Sequence, residues 1–92
     1  MKAVAEIQVI PLGVGVSVRP WVRRAQTIIA ESGLVVQEHS FGTNVEGDLR
    51  TILDVVGRLH EALHAEGAPR ISTAIKIGTR TDKEPDLASK LR

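Results

Sequence analysis

The chain has 92 residues, 42% hydrophobic and 25% charged, with a formal net charge of +1; this describes one small globular domain and excludes a disordered chain. Its basic residues are scattered, and Trp21 and Phe41 are its only aromatic residues, so both the electrostatic footprint and the stacking platform of a nucleic-acid binder are missing. The absence of cysteine excludes a disulfide framework, thiolate metal sites and cysteine nucleophiles.

At the amino end, Glu6 interrupts Met1–Ala5 before the apolar core of an export signal can develop. The longest uncharged apolar run, Val9 to Val16, falls far short of the ~20 residues that cross a bilayer, so the expected setting is the cytoplasm, without a membrane partner. The first strand is predicted over Ala3–Ile10, with Ala3, Ala5, Ile7 and Val9 on one face and Val4, Glu6, Gln8 and Ile10 on the other. Pro11 is expected to end it, and Leu12–Val16 to form a loop.

Ser17 can cap the next helix, with Pro20 in its first turn, where a missing N–H costs nothing. Trp21, Val22, Ala25, Ile28 and Ile29 give that helix an apolar stripe, and Gly33 stops it. Leu34–His39 and Gly42–Glu46 read as two short strands around a Ser40-Phe41 corner. The first of these has no clean alternation, so its facing is open. Asp48 suits the N-cap of a second helix, whose stripe is Leu49, Ile52, Val56, Leu59 and Leu63, ending at Gly67. A fourth strand over Arg70–Ile77 follows, then a charged segment in which Arg80, Asp82 and Lys83 cluster. Residues 1–79 thus form one domain and residues 80–92 a tail, whose Asp86–Leu91 stretch can be a short helix.

The order β-α-β-β-α-β, with right-handed crossovers, predicts a four-stranded antiparallel sheet with two helices on one face: an α+β, ferredoxin-like sandwich. The opposite face then carries Val4, Glu6, Gln8, Asn44, Glu46 and Lys76 with no helix over it. A domain of this size buries only about two-thirds of its unfolded surface, so a second copy of the chain is the favoured cover over plain solvation. The stretch Glu38–Asp48 is expected to set a carboxylate, an amide and a hydroxyl close together where the sheet ends. Glu6, Glu38 and Glu46 could accept hydrogen bonds from a cation or a heterocycle's amino groups, or simply pair with Lys76.

Two motifs are weaker than they look. His60-Glu61-Ala62-Leu63-His64 spells a zinc-protease helix, but with Leu59 and Leu63 facing the core the histidines fall on the flank and Glu61 on the far side. A coincidental match outweighs a catalytic metal site. The loop around Gly13 and Gly15 lacks the lysine of a phosphate loop, although Ser17 offers a hydroxyl at a helix start. No catalytic residue, metal or cofactor is expected.

In order and spacing, A-E-I-Q-V-I-P-L-G, G-T-N-V-E-G-D, H-E-A-L-H-A-E-G-A-P-R-I-S-T-A-I-K-I and R-T-D-K together resemble the small thiamine-binding, YkoF-like family over nearly the whole chain. The resemblance implies subunits that pair through their sheets into homodimers or homotetramers. It also implies non-catalytic binding of thiamine, or its hydroxymethylpyrimidine part, near subunit contacts. A ligand-facing role carries over by motif to Thr43 and Glu46, with Asn44 as neighbour. The uncovered-face argument adds Glu6 and Gln8, and the helix-start hydroxyl adds Ser17. The alternative is a structural or regulatory homo-oligomeric module without a specific ligand.

Overall fold

The computed structural model describes residues 1–90. Its elements are β1 (Lys2–Leu12), α1 (Arg19–Ala30), β2 (Val35–His39), β3 (Gly42–Asp48), α2 (Leu49–Ala65), β4 (Arg70–Gly78) and α3 (Leu87–Lys90). The strands form one antiparallel sheet in the order β2-β3-β1-β4, which is the ferredoxin-like arrangement expected from the element order.

The core lies between the sheet and α1 and α2. Ala3, Ala5 and Ile7 of β1 and Val45 of β3 pack there against Ala25 and Ile29 of α1 and Ile52, Val55 and Leu59 of α2. Each fully buried Ile, Leu or Val contributes roughly 1.5–3 kcal/mol relative to exposure. Val55 was not in the predicted stripe, yet it is completely buried beside Ile52 and Leu59.

Asp48 caps α2 as predicted: its carboxylate accepts the N–H of Arg50 at 3.1 Å and of Thr51 at 3.3 Å. The amino group of Met1 donates to the same carboxylate at 3.3 Å, and Leu49 N–H donates to the Met1 carbonyl at 2.8 Å. One aspartate therefore ties the start of β1 to the start of α2. The Met1 amino group first, and the Thr51 N–H second, hold its carboxyl below the ordinary range.

Three local expectations are corrected. Ser17 does not cap α1; Val18 occupies that position without a side-chain bond, and the later start brings Pro20 nearer the helix terminus. β1 does not stop at Pro11 but continues to Leu12, with Pro11 opposite Ile71 and Leu12 opposite Arg70. Pairing with β3 has already ended at Ile7, so this end of β1 has a neighbour on one side only, where proline is tolerated. β3 likewise runs on to Asp48.

The facing of β2 is now defined. Val36 packs against the core, whereas Val35 is 56% exposed, and Gln37 accepts a 3.1 Å hydrogen bond from Asn44 on the sheet's other face. That face is not bare at one end. Past the Arg80–Asp82 ion pair, which draws the Asp82 carboxyl down to about 2, the chain turns back to the sheet. Pro85 is buried and Leu87 N–H donates to Glu46 Oε1 at 2.9 Å. The predicted terminal helix is present as Leu87–Lys90; Leu91 lies outside the described residues. No helix among the described residues is long and apolar enough to cross a membrane.

Candidate functional site

Strand geometry divides the predicted ligand residues before any chemistry is considered. Successive residues of a strand point to opposite faces, so Thr43 cannot share a face with Asn44 and Glu46. Thr43 lies under the helices, 5% exposed, opposite Ile7 of β1 and Glu38 of β2. Asn44 and Glu46 face away from the helices, in register with Glu6 and Val4. The expected cluster of carboxylate, amide and hydroxyl is thus two sites, one on each side of the sheet.

On the open face, a groove of about 360 Å³ is lined by Val4, Glu6, Asn44, Lys76, Gly78 and Leu87, among others. Its volume lies within the range of small-molecule sites. Val4, only 3% exposed, supplies an apolar floor, and Leu87 forms part of the wall. Glu46 is outside this lining: it lies 3.8 Å from Lys2 Nζ and accepts the Leu87 N–H at 2.9 Å. Lys76 is in register with Glu6, but the partner of Glu6 is His39, at 3.3 Å, rather than the lysine.

His39 was not among the predicted site residues. Its Nδ1 accepts the N–H of Phe41 at 3.3 Å, so its protonated Nε2 can face Glu6. A single tautomer thereby holds the β2–β3 corner and orients the carboxylate. Gly42 is required at this corner, because a Cβ there would stand 2.8 Å from the Ile7 carbonyl oxygen. The signal available in the sequence was parity: once Val36 is assigned to the core, His39 must join Val35 and Gln37 on the open face.

A second cleft of about 210 Å³ opens between α1, the far end of β1 and the β2–β3 corner, and residues of both sheet faces, His39 and Ile10 among them, line it. Thr43, Gln26 and Ser40 supply polar groups, and Ile7, Val22 and Ile29 supply apolar walls. Gln8 also lines this cleft, where β1 has lost its β3 neighbour. Ser17 stands on the exposed β1–α1 loop and lines neither cavity.

The His60–His64 pair is engaged elsewhere. His60 Nε2 shares a 2.7 Å hydrogen bond with Thr73 Oγ1, and His64 Nδ1 donates to the Ala68 carbonyl at 2.7 Å. The rings are 6.3 Å apart, and among the described residues no group of three or more His, Cys, Asp or Glu side chains is placed to hold a metal.

The chain is 44% identical, over 92 residues, to a UPF0045 protein of Synechocystis, covering all of this chain and 76% of that one. A crystal structure of a Methanocaldococcus jannaschii protein is 37% identical with a TM-score of 0.90, covering 98% of this chain and 92% of that one. A Thermotoga maritima structure, 23% identical, has a TM-score of 0.88 over 99% of this chain and 96% of its own, which speaks to the fold alone. Residues 5–92 match the family model described as thiamine-binding protein. The chain belongs to the thiamine-binding protein family.

Proposed function

We propose that this protein is a non-catalytic, homo-oligomeric binding protein for thiamine or its hydroxymethylpyrimidine part, held in the open-face groove near contacts between subunits. The observation that carries this reading is the match of nearly the whole chain to a family described by that ligand. The groove is chemically suited. Glu6 and Asn44 offer acceptors to an aminopyrimidine's N–H groups, and Glu6 offers negative charge to a thiazolium cation. Lys76 opposes that cation, so the pyrimidine end fits best beside it. Ile10, Leu12 and Val35, exposed on the same face, are the apolar surface a second copy would cover.

A second reading is favoured by one observation: most polar groups of this face already have partners within the chain. Glu46 is held by Leu87 and Lys2, Glu6 by His39, and Asn44 by Gln37. A structural or regulatory oligomeric module would show the same pairing. Calorimetric titration with thiamine and with hydroxymethylpyrimidine separates the two. Binding by the wild-type protein that weakens in Glu6→Gln supports the ligand reading; no heat at millimolar ligand leaves the module.

A further inference from the structure

The β2–β3 corner closes without the turn chemistry that so short a hairpin loop usually relies on. His39 pairs with Gly42, so Ser40 and Phe41 alone make the loop. Loops of this length favour turns with positive φ at one or both loop residues, because that twist matches the flanking strands. Gly, Asn and Asp supply it most readily. Neither Ser40 nor Phe41 has a positive φ.

A side chain takes over the task. His39 Nδ1 accepts the N–H of Phe41, two residues on, at 3.3 Å, and its Nε2 stands 3.3 Å from Glu6 Oε2. An asparagine makes the same local bond through its side-chain oxygen, which is attached at the same carbon as Nδ1 of a histidine. The difference is the proton. An amide oxygen accepts at any pH, whereas an imidazolium donates from both nitrogens and accepts at neither. Protonation therefore sets Nδ1–H against the Phe41 N–H while it strengthens the contact with Glu6. Histidine is the side chain whose charge ordinarily changes between pH 5 and 8.

Few other charges compete for the ring. From β1, Glu6 faces it; Lys76 of β4 is in register with Glu6, one strand farther away. β3 brings only the uncharged Gly42 and Asn44, and Glu38 of β2 points to the other face. α1 contributes Val22, Ala25, Gln26 and Ile29 to the cleft that His39 lines, none of them charged. The His39 side chain is 32% exposed, so solvent protons reach it.

We propose that His39 is a proton-operated latch on the β2–β3 corner. Neutral, it accepts the Phe41 N–H and keeps the corner shut; protonated, it gives up Phe41 and keeps Glu6. Ser40, Phe41 and Gly42 wall the cleft beside α1, and Glu6 walls the open-face groove, so the latch touches both cavities. Acidification loosens the first wall and holds the second more firmly. This device goes beyond the proposed function and operates whatever the ligand.

Nuclear magnetic resonance of the full chain between pH 8 and pH 5 tests the latch. At pH 8 the His39 ring is expected as the tautomer with its proton on Nε2. As the ring gains its second proton, the Phe41 amide should lose order, read as a falling heteronuclear NOE. Its protection against exchange should drop about tenfold, the effect of one lost hydrogen bond of about 1.4 kcal/mol. His39→Asn should keep Phe41 ordered at both pH values, while Glu6→Gln should retain the wild-type response. A Phe41 amide equally ordered at pH 5 and pH 8, or one that loosens as much in His39→Asn, would overturn the latch. Loss of the response in Glu6→Gln would overturn it too, by assigning the effect to the ion pair.

Discussion

The two faces of one sheet handle burial in opposite ways. Beneath the helices, Ala3, Val45, Ile52, Val55 and Leu59 are fully buried, and among the described residues the single buried polar one is Thr43. Across the backbone, apolar positions stay half-open, with Ile10 at 41% and Leu12 at 39%, while carboxylate, amide and imidazole pair among themselves. The covered face spends its side chains on holding the fold. The open face keeps hydrogen-bonding capacity at the surface, at the expense of leaving methyl groups wet. A small domain can carry that arrangement when another molecule completes it.

The sharpest way to break the contrast is to injure each face in turn. Leu59→Ala removes a fully buried side chain and should cost about 2–5 kcal/mol, a large share of a small domain's stability, as urea unfolding would show. A loss under about 1 kcal/mol would mean that the helix-covered face is not the main source of stability. Ile10→Lys, on the open face, should change the stability of a lone chain by no more than about 0.5 kcal/mol while dissociating any assembly built on that face. Equal oligomeric mass for this variant and wild type would place the subunit contact elsewhere.

Two smaller changes test the elements that frame both faces. Asp48→Ala should lower the melting temperature, with Asp48→Asn less harmful because an amide still caps a helix. The sign of the pH dependence follows from a carboxyl held below its ordinary range. Its stabilisation is complete above the unfolded value near 4 and is lost as pH falls through the depressed folded value. The gap between Asp48→Ala and wild type should therefore narrow on acidification, and a gap that widens would contradict the capping role. Smallest is Gly57→Ala in mid-α2, where an added methyl meets nothing within 4 Å. It should stabilise by at most about 1 kcal/mol without touching either face.

Much of this architecture was legible in the chain. The stripes of α1 and α2, the Asp48 cap and the alternation of β1 each point to one structure, and they agree with one another. The site was less legible for specific reasons. β2 mixes Val35, Val36 and Gln37 without period, so the parity that separates His39 from Glu38 had no anchor. Thr43 and Asn44 are adjacent in sequence, and proximity along a strand is not proximity across it. Pro11 reads locally as a strand end, but whether proline is tolerated depends on which neighbours are present at that point in the sheet. The return of Leu87 to Glu46 joins residues far apart by a bond from the Leu87 N–H to the Glu46 carboxylate, and no local pattern announces it.

The account depends most on the open face being shared between copies of the chain. Multi-angle light scattering of the purified protein at micromolar concentration measures this directly. The mass of two or four chains is the predicted result, falling to that of one in Ile10→Lys. A wild-type mass of a single chain, unchanged by added thiamine, would contradict it.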